Sequence, residues 1–193
     1  MKTAQQLLPI TFVLALSACG TRQPPDPGLR GRELFLCCTL HFNQDDDASD
    51  ANYAYPSGGS MLRAGTRVHV MKTGSTSITF SPAGESRRYS IDMRFGNERQ
   101  SPAEYFHKLL RDTDPRPGLA DAPAEIQRAV AEGHLLKGMT KEQAIMARGY
   151  PPLHRTPDLN GDEWLYFQDR GLADRVRFAN GQIVSIETVW AGR

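Results

Sequence analysis

Charge of one sign, aromatic side chains, cysteine and long apolar runs are all scarce in this chain, and each scarcity excludes something. Lysine plus arginine number 23 against 22 aspartates and glutamates, and aromatic residues make up 8% of the 193 residues. Such a balance leaves no basic stripe, so nucleic acid is excluded as the expected partner. One apolar run stands out, Leu7 to Leu16, and it is too short to span a bilayer. The three cysteines, Cys19, Cys37 and Cys38, have no histidine or cysteine cluster at metal-site spacing beside them. No metal and no cofactor is therefore expected. The five histidines (His41, His69, His107, His134, His154) are scattered, with no serine, cysteine or carboxylate at a recognisable motif distance. No nucleophile elbow, metalloprotease helix or phosphate loop occurs, and the chain is not expected to be an enzyme.

What is present begins with a targeting signal. Lys2, the apolar run and Leu16-Ser17-Ala18-Cys19 read as a secretion signal with a short charged start and a small-residue cleavage site. The last four residues resemble a bacterial lipobox, which implies cleavage after residue 18 and acylation of Cys19. The alternative is an ordinary cleaved signal with an incidental cysteine. Several acyl chains on one residue anchor stably where a single chain binds only marginally. Gly20, rather than aspartate, follows the cysteine, and by analogy with lipoprotein sorting this favours the outer membrane. Residues 19–31 hold Pro24, Pro25, Pro27 and Gly28, the chemistry of an extended tether.

Residues 32–96 read as a small all-β domain. Leu34 to Phe42 is a nine-residue strand pattern containing Cys37 and Cys38. Neighbouring strand residues point to opposite faces, so three readings stay open: buried thiols, a vicinal disulfide at a turn-like distortion, or a redox or metal role. Asp45, Asp46, Asp47 and Asp50 invite a calcium-loop reading, but Asp50 stands where that loop needs glycine and Pro56 where it needs glutamate. A solvated acidic loop is expected instead. Val68 and Val70, Ile78 and Phe80, and Tyr89, Ile91 and Met93 alternate with polar residues between glycine- and proline-containing turns. Met61 to Val70 resembles the turn and strand of bacterial SH3-like barrels, modules that bind peptide or cell-wall glycan.

Residues 97–121 read as a helical linker. Ser101-Pro102-Ala103-Glu104 is a capped helix start, with Tyr105, Phe106, Leu109 and Leu110 as its apolar stripe. In residues 122–193, Ala124 to Glu132 forms a helix that Gly133 ends. A second helix starts at the capping box Thr140 to Gln143 and stops at Gly149 and Pro151-Pro152. Three strand patterns follow: Glu163 to Gln168, Asp174 to Phe178, and Gln182 to Trp190. The last alternates Val184, Ile186 and Trp190 against Ser185 and Glu187. Asn180-Gly181 supplies a tight hairpin turn.

The strings Gly138-Met139-Thr140 with Gln143-Ala144, Gly149-Tyr150-Pro151, Trp164-Leu165-Tyr166 and Val176 to Ile183 resemble the BamE (SmpA/OmlA) family of envelope lipoproteins. The resemblance covers about the last third of the chain. It implies an α-α-β-β-β two-layer domain and a role beside the outer-membrane β-barrel assembly machine. The expected fold class is therefore α+β, a small N-terminal all-β (SH3-like) barrel followed by that two-layer domain. The expected function is a lipid-anchored periplasmic protein-binding or scaffolding module of the cell envelope. It would be held at the outer membrane through acylated Cys19, with other envelope proteins as partners. The expected partner surface holds Tyr150, Pro152 and His154 together with Arg175, Arg177 and Trp190 on the exposed side of the sheet. Two alternatives stand beside it: a peptidoglycan-binding lipoprotein, and an inhibitor of a secreted enzyme.

Overall fold

The computed structural model describes residues 28–54 and 58–192. The signal sequence and Cys19 lie outside the described residues. The packed chain begins earlier than the tether reading allows, because Leu29 is 1% exposed and sits in the first hydrophobic core.

Eleven strands and three helices are present among the described residues. The first half contributes β1 (Glu33–Leu36), β2 (Leu40–Phe42), β3 (Asp47–Ser49), β4 (Ser60–Leu62), β5 (Arg67–Thr73), β6 (Ser77–Pro82) and β7 (Tyr89–Asp92). Next come α1 (Pro102–Leu109), the two-residue β8 (Leu110–Arg111) and a 3-10 turn, Arg116–Leu119. The second half has α2 (Ala124–Ala131), α3 (Lys141–Arg148), β9 (Glu163–Phe167), β10 (Leu172–Ala179) and β11 (Gln182–Trp190).

A small SH3-like barrel followed by an α-α-β-β-β domain is not what this chain builds. Strand exceeds helix by 34% to 17%, and five strands of the first half join β8 in a curled mixed sheet of six. Its order is β3-β7-β6-β5-β1-β8, with β2 and β4 paired separately. Two pairings account for the difference. β3 runs parallel to β7, Ala48 opposite Ile91, and β8 adds to β1 with Leu36 opposite Leu110. The stripe expected of a linker helix is core: Tyr105, Phe106 and Leu109 of α1 pack with Phe42, Phe80, Tyr89 and Ile91. Alternation within the central strands holds, since Val68, Val70, Ile78 and Phe80 are buried while Arg67 and His69 are exposed.

The nine-residue strand expected from Leu34 to Phe42 is broken between β1 and β2, where Cys37 and Cys38 form a vicinal disulfide. Strand neighbours face opposite ways, so bonding adjacent sulfurs requires the chain to leave the strand there. Both cysteines are buried. The acidic loop is likewise more than solvated. Asp46 pairs with Arg87 and accepts the Ser60 hydroxyl, and Asp50 is buried.

In the second half α2 and α3 share a core with Trp164, Tyr166, Val176, Phe178 and Ile183 of an antiparallel sheet ordered β11-β10-β9. The Thr140 hydroxyl accepts Gln143 N–H at 3.3 Å and the Gln143 amide oxygen accepts Thr140 N–H at 2.9 Å, closing the capping box. Asn180 and Gly181 both take positive φ, 52° and 77°, as the tight turn requires. One alternation differs from expectation. Phe178 pairs with Ile183 but Arg177 pairs with Ser185, leaving Val184 as a bulged residue. The bulge turns Ile183 inward and leaves Val184 49% exposed.

Candidate functional site

Where the two halves meet, a cleft of about 820 Å³ opens over a group of four rings. The His154 imidazole stacks on Phe95 at 5.2 Å and on Phe167 at 5.9 Å between centroids. Tyr53 closes the group, 5.4 Å from Phe167 and edge-on to Phe95 at 6.4 Å. Arg94, Arg155 and Arg170 stand around the rings, with Asp47 and Asp169. Sites of this kind, at a junction and with aromatic walls, are where ligands are usually held.

Each ring is positioned by a local device. Phe95 is fixed by Asp50, whose buried carboxylate accepts three consecutive main-chain N–H groups: Arg94 at 2.9 Å, Phe95 at 3.1 Å and Gly96 at 2.6 Å. Three such donors form an anion-binding nest, here filled from within the chain. The ring it presents is nevertheless 40% exposed. His154 follows the rigid Pro151-Pro152 pair. Its loop is tied to the edge of β9 because the Thr156 hydroxyl accepts Leu165 N–H at 3.0 Å. Phe167 ends β9 and packs with Ala51, Ala173 and Ala191 in a small third core. Tyr53 comes from the loop after β3, whose Ala54 N–H donates to the Phe167 carbonyl at 3.3 Å.

Electrostatics separate the cations from one another. Arg94 donates to Asp92 at 3.1 Å and Arg155 to the Ala191 carbonyl at 3.3 Å, whereas Arg170 stands close enough to Tyr53 to act on its phenol. Asp169 accepts Gly171 and Leu172 N–H, which holds its carboxyl below the usual range. Desolvation against the rings pulls the His154 imidazole below its ordinary value, Arg155 adding to this and Asp50 opposing it. Near neutral pH the ring is a neutral, flat stacking surface. Among the described residues no group of three or more histidines, cysteines or acids is placed to hold a metal ion.

The residues expected at a partner surface separate in space. His154 reaches the cleft, and Ala191, next to Trp190, lines it. Pro152 is buried under the same loop. Tyr150 faces the first half, accepting from Arg111 at 3.2 Å beneath Lys108. Arg175 and Arg177 lie on the sheet face away from the helices, both paired with Glu163, and Arg177 also with Glu187. Trp190 is 77% exposed at the end of β11, its indole lying over Gly171 and Gly192. Tyr53, Phe95 and Phe167 are absent from the expected set. They lie far apart in sequence, and no local pattern joins them.

A smaller cavity of about 430 Å³ lies between the turn before β5 and α2, lined by Arg63, Thr66, Arg116, Leu119, Gln127 and Val130. Its Arg116 is committed to Asp114. Comparisons with protein-family models, curated proteins and solved structures found no match.

Proposed function

We propose that this chain is a protein-binding module that receives an extended segment of a partner in the cleft over Tyr53, Phe95, His154 and Phe167. The observation that carries the reading is the pair of exposed rings, Phe95 and His154, backed by half-buried Tyr53 and buried Phe167 inside an arginine rim. Flat aromatic faces take up an apolar or aromatic side chain, and desolvated aromatic and arginine side chains dominate binding energy at interfaces. Arg170 adds a cation suited to a carboxylate close to that side chain. The cleft thus fits a partner segment with an apolar anchor beside an acidic residue.

The same proposal places the module at the periplasmic face of the outer membrane, anchored through acylated Cys19. Support for this comes from the lipobox-like Leu16 to Cys19 and from the C-terminal strings that resemble BamE lipoproteins. The partners are then other envelope proteins.

A crosslinked pull-down of the tagged full chain from solubilised membranes, read by mass spectrometry, tests the binding. Envelope proteins recovered by the native chain and lost from a Phe95→Ala, Arg170→Glu variant are the expected result. Equal recovery by both chains overturns the cleft reading, and recovery of wall fragments alone favours a peptidoglycan-binding lipoprotein. Metabolic labelling with palmitate tests the anchor: the label is expected on the native chain and absent from Cys19→Ser.

A further inference from the structure

The outer edge of β11 divides into a covered part and an open part. At its start, Gly138 N–H donates to the Ile183 carbonyl and Ile183 N–H donates to the Met139 carbonyl, each at 2.8 Å. Beyond the bulge this cover ends. Ala191 N–H points inward to the Gly171 carbonyl at 2.7 Å. Because main-chain groups alternate sides along an antiparallel strand, those of Ile186, Thr188 and Trp190 point outward. Among the described residues nothing pairs with them, and β11 ends the sheet order.

Exposed edges are usually blunted by lysine, proline or an inward charge. Ser185 to Trp190 carries none of these, and its single charge, Glu187, is already engaged by Arg177 at 3.3 Å. The strand ends on Trp190, 77% exposed, with Leu172 directly opposite it on β10 and 37% exposed. An open ladder flanked by exposed apolar side chains is a template for another strand.

We propose that this edge pairs antiparallel with the same edge of a second copy of the chain, centred on Thr188. In that register Thr188 faces Thr188 of the second copy, and Trp190 faces Ile186 of the second copy in both directions. Each opposed pair exchanges two main-chain hydrogen bonds. Glu187 falls opposite Val189 of the second copy, so the only charge on the edge never meets itself. The exposed indole lies over a half-buried isoleucine. The bulge at Val184 and the segment 138–140 stop the pairing at its other end. An isologous contact must be its own complement, and this edge meets that condition because its one charge is offset from its copy and its exposed indole meets an apolar side chain. The two three-stranded sheets then become one of six strands.

Light scattering of the full chain, purified in mild detergent, reads the assembly after the detergent contribution is subtracted. The expected mass is that of two chains, falling to one for Thr188→Pro, which removes the central N–H donor. Thr188→Cys treated with a short bis-maleimide is expected to link copies to each other, with the native chain treated alike as background. If the proline variant loses its far-ultraviolet dichroism, Trp190→Ala decides in its place, with dimerisation expected to weaken about tenfold or more. A single-chain mass at every concentration overturns the proposal. So does a dimer that survives both edge variants, or one that Thr188→Cys fails to link.

Discussion

The side-chain amide of Asn52 donates to the main-chain carbonyl of Arg148 across 2.6 Å, joining the loop after β3 to the end of α3. The same nitrogen reaches the Thr39 carbonyl at 3.3 Å, and its oxygen accepts His41 N–H at 3.0 Å. Arg148 continues the seam by donating to the Phe167 carbonyl at 3.0 Å, with its guanidinium over the Tyr166 ring. Asn52 tolerates the positive φ of 42° that the turn imposes, as asparagine does more readily than most residues. One buried amide therefore satisfies polar groups from both halves of the molecule, directly below the elements that carry the cleft.

Replacing Asn52 by alanine removes the partner of three buried main-chain groups, the carbonyls of Arg148 and Thr39 and the N–H of His41. Each unpaired buried group costs about 1–3 kcal/mol, so with three such groups Asn52→Ala is expected to lower unfolding free energy by about 3 kcal/mol or more. Urea unfolding followed by tryptophan fluorescence measures it. A loss below about 0.5 kcal/mol, the scale of an ordinary surface substitution, would sink the idea that the seam holds the halves together.

Asp50 shapes the cleft chiefly by accepting the main-chain N–H groups of residues 94–96. Asp50→Ala is expected to expose the amides of Arg94, Phe95 and Gly96 to exchange and to destabilise the protein by about 1–3 kcal/mol. Hydrogen exchange should show the loss of protection confined first to residues 94–96. Unchanged protection there would mean that the loop is held by something other than the carboxylate.

Thr140 offers a cleaner local test because its capping box is partly exposed and touches neither the cleft nor the seam. Thr140→Ala removes the acceptor for Gln143 N–H and is expected to cost about 1 kcal/mol. Thr140→Ser should retain most of that stability. Equal losses in the two variants would rule out the cap as the cause.

These contrasts also show what the sequence makes readable. The Thr140–Gln143 capping box, the helix start at Ser101, the Asn180-Gly181 turn and the alternation of Val68, Val70, Ile78 and Phe80 depend on residues close together, and the structure contains them. The β3–β7 pairing is different. Asp47-Ala48-Ser49 has little strand propensity of its own, and only its ladder with Ser90, Ile91 and Asp92 makes it a strand. The bulge at Val184 was hidden for the same reason, since a clean alternation from Gln182 to Trp190 ignores the register with β10. The cleft was least readable. Of its four rings only His154 stood in the expected set, because Tyr53, Phe95 and Phe167 meet solely through the packing of the two halves.

Stability is expected to depend on pH through His41. The imidazole lies against Gly133, with its Nδ1 unpaired. Burial first, then the charge of Arg148, lower its pKa from the ordinary 6.5 to about 4. The folded chain thus binds this proton less readily than the unfolded chain. The contribution is fully present above pH 6.5 and is lost as pH falls through the window down to about 4. A difference of this size corresponds to about 3 kcal/mol for the buried group. His154 is displaced in the same direction but is open at its edge, so it adds a weaker slope of the same sign. Asp46, held low chiefly by its hydrogen bond with Arg87, starts from an ordinary value of 3.8 and acts below this window. His41→Gln, neutral at every pH, is expected to be less stable at pH 7 yet to lose much less between pH 6.5 and 4. Urea midpoints measured across that interval separate the cases, and a variant that keeps the full native slope would show that His41 is not the titrating group.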